Sequence, residues 1–289
     1  MGRSRFVVAV IVLGALLAGC GDGGGSQAPT PDRSRDSGAV DSSRVEPVGL
    51  IGNWTVTAPD PDSSGILRLA PVDQGGLSWF GTCGTAMGTW RADTNGLFLA
   101  GVPKNPASGE RRCRLAPDWL RQATSFRFEG EIPVLLDDQG REVARLLPGA
   151  KPTPGPHVVP SLAEPPMVTP EVRQAFTPAV GLPPHLKPAS RDDLRGRWVP
   201  VGPARGSAHV ELRNDGEWRG SDGCNGQHGR WVAGPDGALL ATAGPSTLIG
   251  CRSVPVATWL SEASRAGLDG EVLVLLTAKG TETGRLARG

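Results

Sequence analysis

A chain of 289 residues, 38% hydrophobic and 20% charged, is long enough for two domains of common size and too apolar to stay unfolded throughout. Its formal net charge of +1 sets it apart from the strongly basic chains that track nucleic acid, and shows no polybasic membrane patch. Cys and Trp are scarce, with five and eight copies, and their spacing carries most of the information.

The first twenty residues read as an address. Arg3 and Arg5 precede an apolar run from Phe6 to Leu17 broken only by Gly14, too short to span a bilayer and suited to a signal-peptide core. The run ends Leu17-Ala18-Gly19-Cys20, which looks like a bacterial lipobox. Small residues before the cysteine suit a peptidase cleft, and the Cys20 thiol is the nucleophile that accepts diacylglycerol. Acyl chains (palmitate-type) on Cys20 supply the two or more anchors that stable membrane attachment needs. The expected product is a lipoprotein held by the lipid bilayer on the extracytoplasmic face of the cell membrane. Residues 21–47 are mostly Gly, Ser, Asp, Arg and Pro with little to bury, and predict a flexible tether.

Beyond the tether the chain repeats itself. Leu50-Ile-Gly52-Asn-Trp54 returns as Leu194-Arg-Gly196-Arg-Trp198. In the same order Trp79 answers Trp218, Cys83 answers Cys224, Trp90 answers Trp231, Cys113 answers Cys251 and Trp119 answers Trp259. Gly130-Glu-Ile-Pro-Val-Leu-Leu136 lies over Gly270-Glu-Val-Leu-Val-Leu-Leu276 without a gap, followed by Glu142 and Arg145 over Glu282 and Arg285. Rare residues kept in step over this length indicate duplication. The domains follow as 48–148 and 191–289. Between them, 149–190 is dense in proline, whose missing N–H and fixed φ predict a semi-stiff extended linker with no sheet. A short helical turn at Glu171–Phe176 is the expected interruption.

Within the second copy, short β-prone segments alternate with turns at Asn214-Asp-Gly216, Pro235-Asp-Gly237 and Ala278-Lys-Gly280, where glycine supplies positive φ. The expected fold class is mainly β, two tandem antiparallel meanders of barrel type, each with one short helix. The helices are predicted over Pro117–Phe126, with Trp119, Leu120, Ala123 and Phe126 on one face, and over Val256–Ala266, with Gly267 closing it.

With Cys20 lipidated, four cysteines remain. They allow three pairings, and only Cys83–Cys113 with Cys224–Cys251 respects the duplication. Each bridge would close a loop of roughly thirty residues and contribute roughly 3–4 kcal/mol. No C-x-x-C redox pair is present. A zinc set of Cys224, Cys251, His228 and His209 lacks metal-ligand spacing and has Met87 opposite His228 in the first copy. The expectation is no metal and no cofactor.

The second copy resembles the META domain of heat-inducible bacterial lipoproteins. The resemblance rests on Leu194-x-Gly-x-Trp198, Asn214-Asp-Gly216, Gly220-Ser-Asp-Gly-Cys224-Asn225, Gly229-x-Trp231, Thr247 four before Cys251, and Gly270-x-Val-Leu-Val-Leu. The first copy looks like a diverged member, with Gly84 in place of the Asn and Gly109 in place of the Thr. The resemblance implies a small barrel-type β fold with one helix and an envelope or stress-associated role, with no catalytic activity attached. Asp222, Asn225 and Thr247 stand out as polar candidates, either for hydrogen bonding inside the hairpin or for a small binding patch. No nucleophile elbow, phosphate loop or paired carboxylates appear. The function expected is therefore non-catalytic binding or envelope maintenance with an envelope protein partner. The alternative is a hydrolase or small-ligand carrier using a pocket in the C-terminal barrel lined by Trp218, His209 and His228.

Overall fold

Alternating apolar positions and glycine turns give seventeen strands and four short helices among the residues that the computed structural model describes: 45–59, 64–102, 115–149, 151–202, 207–247, 249–250 and 252–289. The first half runs β1 (Gly52–Thr57), β2 (Gly65–Leu69), β3 (Leu77–Gly81), β4 (Gly84–Ala92), β5 (Phe98–Gly101), α1 (Asp118–Gln122), β6 (Ser125–Glu129), β7 (Ile132–Leu136) and β8 (Glu142–Pro148). The connection carries α2 (Pro170–Ala175), β9 (Lys187–Pro188) and α3 (Arg191–Leu194). The second half repeats the first as β10 (Gly196–Pro200), β11 (His209–Leu212), β12 (Glu217–Ser221), β13 (Gly226–Ala233), β14 (Leu239–Ala243), α4 (Val256–Glu262), β15 (Arg265–Asp269), β16 (Val272–Leu276) and β17 (Glu282–Arg288). Every Trp pair aligned from sequence falls in equivalent elements.

The protein is mainly β, built on two antiparallel sheets. The first has the order β5-β4-β3-β2-β1-β8-β7-β6 and the second β14-β13-β12-β11-β10-β17-β16-β15-β9. Each curls so that one end reaches a strand at or near the other, β6 in the first sheet and β15, inside the short edge strand β9, in the second. A bridge between Leu97 and Ser125 joins the β5 end to β6, and a bridge between Ala238 and Arg265 joins the β14 end to β15. Such curling shortens the unpaired edges that an open sheet would present.

Leu-x-Gly-x-Trp is the opening device of both halves. The indole N–H of Trp54 donates to the Leu50 carbonyl at 2.8 Å, and that of Trp198 to the Leu194 carbonyl at 2.7 Å. A buried indole needs such a partner, and here the turn before the strand provides it. Trp54, Trp79, Trp90 and Trp119 all enter the first core, while Trp198, Trp218 and Trp231 fill the second with Leu212, Leu260 and Leu275. The barrel interiors are therefore packed with side chains, each large one worth about 1.5–3 kcal/mol on burial.

The structure corrects the predicted helices. They end at Gln122 and Glu262, and Ser125–Glu129 and Arg265–Asp269 are strands. Phe126 and Ala266 reach the core from β6 and β15, because each sheet can curl onto those strands only if these residues pair. Gly267 does not close a helix; it lies inside β15, where an added Cβ would come within 2.9 Å of Leu186 Cβ.

The connection is also corrected. Its helical turn is present as α2, but Lys187 and Pro188 form an edge strand against Leu268 and Gly267 of β15. Proline is tolerated there because an outermost strand needs no donor on its free side. Elsewhere the segment is bonded to the halves largely through its carbonyls, which prolines leave intact. Ala163 O accepts from Asn53 Nδ2 at 3.2 Å and Glu164 O from Arg68 Nε at 3.0 Å. Leu162 and Ala163 are buried, Phe176 stacks on Trp90 with ring centroids 5.6 Å apart, and Val180 N–H donates to Ala278 O at 3.0 Å. It is a strap laid over both halves, and residues from Asp41 to Gly289 form one compact unit. Cys20, the signal segment and most of the tether lie outside the described residues. No helix among the described residues is long and apolar enough to cross a membrane.

Candidate functional site

Asp222, Asn225 and Thr247 come together at the β12–β13 hairpin. Asp222 Oδ1 accepts the N–H groups of Cys224 (2.8 Å) and Asn225 (2.6 Å), and Oδ2 accepts Asn225 Nδ2 at 3.1 Å. Asn225 then reaches outward: its Oδ1 accepts from Thr247 Oγ1 at 2.7 Å and from Ile249 N–H at 2.8 Å, and Nδ2 donates to Ile249 O at 3.1 Å. Burial opposes ionisation of Asp222, yet the donors from Asn225 and Cys224 outweigh it and hold the carboxyl below its usual range. Both Asp222 and Asn225 are buried. Their polar atoms are thus engaged in locking Thr247 and Ile249 to the hairpin.

In the first half the same hairpin closes with Gly81 paired to Gly84, and Gly84 takes φ +118°. The second hairpin also turns on a positive-φ glycine, Gly223 at +102°, so the Asp–Asn lock is an addition to that corner. Cys83 and Cys224 occupy the equivalent turns of the two hairpins. Cys113 and Cys251, which complete the expected pairs, lie outside the described residues. No group of three or more His, Cys, Asp or Glu side chains able to hold a metal occurs among the described residues.

A different site emerges where the halves meet. Leu97 and Leu99 beside β5 and Val232, Ala238 and Leu240 along β13 and β14 form a separate buried cluster. Two arginines cross this interface in opposite directions. Arg91 Nη1 donates to Ala241 O at 3.3 Å, and Arg230 Nη1 donates to Ala100 O at 3.1 Å. Ala100 and Ala241 are equivalent residues, opposite Trp90 and Trp231 in their hairpins. The acceptors are thus equivalent while the donors are not, since Arg91 follows Trp90 and Arg230 precedes Trp231. Arg121 adds an ion pair to Glu217 at 2.5 Å.

Beside these contacts lies a cleft of about 990 Å³ walled by both halves. Met87, Val102, Ala243 and Pro245 give it an apolar surface; Arg121, Arg219, Arg230, Gln227 and His228 give it a polar one. That volume is at the upper end of the range for small-molecule sites. Compared with protein-family models, curated proteins and solved structures, the chain matches none.

The C-terminal barrel pocket expected from sequence has Trp218 and His228 at the cleft wall, but not His209, whose Nδ1 lies 2.7 Å from Ser207 O. The space lies between the barrels, since the barrel interior is filled. Trp218 is fully buried and donates to Thr242 O at 2.8 Å.

The cleft wall holds an unusual share of unsatisfied polar atoms. Ten buried side-chain nitrogens and oxygens lack a hydrogen-bond partner among the described residues, and four of them belong to cleft residues: Thr89 Oγ1, Gln227 Oε1, Arg230 Nε and Thr242 Oγ1. Each such atom costs about 1–3 kcal/mol, so their clustering in one place indicates a site shaped for more than folding. Burial, reinforced by nearby Arg121, pushes the Arg230 guanidinium down to about 10, so it stays charged at neutral pH. No carboxylate forms an ion pair with it among the described residues.

Sequence reasoning missed these residues, although a signal was present. Leu97-Phe98-Leu99-Ala100 and Ala238-Leu239-Leu240-Ala241 are apolar at successive positions, the pattern of a strand covered on both faces. Phe98, Ala100, Leu239 and Ala241 face the barrel cores, and Leu97, Leu99, Ala238 and Leu240 face the other half.

Proposed function

We propose that this protein is a non-catalytic binding lipoprotein of the cell envelope, anchored through acylated Cys20, that captures a small ligand in the cleft between two META-like halves. The observation that carries the reading is the cleft itself: it takes its walls from both halves, and its polar atoms are left unsatisfied by the fold. The duplication gains a purpose on this reading, because a single half would have only one wall. The expected bridges Cys83–Cys113 and Cys224–Cys251 would brace the hairpins beside it.

Binding is favoured over hydrolysis by the arrangement around His228. This exposed histidine lines the cleft, and none of its ring nitrogens is held by a carboxylate or positioned on a hydroxyl among the described residues, as a general base would require.

The test is ligand-observed NMR with a fragment library on the purified full-length lipoprotein in nanodiscs, comparing the wild type with Ala243→Trp. Ala243 is an exposed wall residue, so the indole fills the cleft without entering a core. Fragments that bind the wild type should lose their signal with the variant. A wild type that binds no fragment, or fragments indifferent to the substitution, would contradict the proposal.

A further inference from the structure

We infer that the cleft takes a small organic anion with an apolar body, its acidic group received by Arg230 together with Thr89 and Thr242. The inference rests on the binding reading above and deepens it by naming the ligand class.

The geometry begins at Gly101. A side chain there would lie 2.7 Å from Thr242 Oγ1 and 2.8 Å from Thr89 Oγ1, so the absence of a Cβ lets the two hydroxyls flank one backbone position. Arg230 is the register partner of Thr242, and Thr89 that of Gly101. Arg230 also holds the carbonyl of the preceding Ala100 at 3.1 Å. The guanidinium and both hydroxyl groups are thus gathered around one short stretch of β5, where the two halves touch.

The chemistry of this group is lopsided. Arg230 Nε can only donate, and the hydroxyls of Thr89 and Thr242 can turn their O–H toward a guest. What these three side chains lack is a partner for a cation's donors. Glu217 is the single carboxylate on the cleft wall among the described residues, and it is ion-paired with Arg121 at 2.5 Å. Among the described residues Arg230, 7% exposed, and the exposed Arg219 form no ion pair, and Arg230 feels Glu217 and Asp215 only through their nearby charge. A buried cation with unsatisfied donors around it favours an acceptor-rich, negatively charged guest. The remaining wall, from Met87, Val102, Ala243 and Pro245, offers nothing polar to a ligand and suits a hydrocarbon or aromatic body. Size agrees, since a cleft of about 990 Å³ holds more than an inorganic ion.

The test measures binding of sodium hexanoate, hexyl phosphate and neutral hexanamide to the full-length lipoprotein in nanodiscs by saturation-transfer NMR, with empty nanodiscs as the blank. One or both anions should bind roughly tenfold or more tightly than the amide, and the tighter one separates a carboxylate guest from a phosphate guest. Arg230→Met should reduce anion binding to the level of the amide. Because that change also removes the bond to Ala100, Thr242→Val and Arg219→Gln serve as milder variants, each expected to weaken the anion several-fold and leave the amide unchanged. If the amide binds as tightly as both anions and Ala243→Trp abolishes all three, the anion inference falls and the cleft reading stands. If none of the probes binds, or Ala243→Trp changes nothing, both fall.

Discussion

Asp222 and Gly101 show how single residues decide local structure here. Asp222 receives two backbone N–H groups and one amide, which together keep its carboxyl below the ordinary range despite burial. A folded value below the unfolded one means that protons prefer the unfolded chain. Its stabilising contribution is therefore complete above the ordinary carboxylate range and lost as pH falls through that range toward the lower folded value. Hydrogen exchange of the 222–225 amides should accelerate as pH drops from 5 toward 3, after correction for intrinsic exchange. In Asp222→Asn the acceleration should vanish, at a cost of about 1–3 kcal/mol; an unchanged pH profile would rule the lock out. Gly101 acts through absence. Gly101→Val would press on Thr242 and Thr89 at distances of 2.7 and 2.8 Å from its Cβ, and should lower stability by about 1–3 kcal/mol in urea unfolding. No loss would mean that the halves approach less closely than described.

At the level of elements, legibility in the sequence followed local physics. Turns at Gly216, Gly237 and Gly280 take the positive φ that their sequences demand, at +74°, +71° and +80°. The strands between them were readable because inward and outward residues alternate. Pairing was not readable: Phe126 and Ala266 fit a helical stripe as well as a strand, and only the meeting of β5 with β6 and β14 with β15 decides. The candidate site was legible least. Asp222, Asn225 and Thr247 announced themselves by residue type, yet their bonds turn inward. Arg230 and Arg91 carried no signal, since a sequence does not show which outer strand face another barrel will cover. Nor did the proline count reveal that residues 149–190 would be held down at Arg68, Trp90 and β15. The strap gives the element-scale prediction: Phe176→Ala removes the ring stacked on Trp90 and should cost about 0.5–1.5 kcal/mol beyond lost area, visible as a lower urea midpoint. An unchanged midpoint would mean that the strap contributes nothing to holding the halves.

For the whole molecule, the duplication matters because the two barrels do not act as beads on a string. An apolar cluster, two crossed arginines, an ion pair and the strap join them, and the cleft exists only while they stay joined. The tether and lipid anchor proposed at Cys20 would set this unit at a short distance from the membrane. Everything functional in the account depends on the docked arrangement. The most direct measurement is ¹⁵N relaxation on the soluble mature chain carrying Cys20→Ser, comparing amides of 48–148 with those of 191–289. One shared rotational correlation time, appropriate to a single body, is the predicted result. Two shorter, independent correlation times would mean that the halves tumble separately, and the cleft and its ligand would go with them.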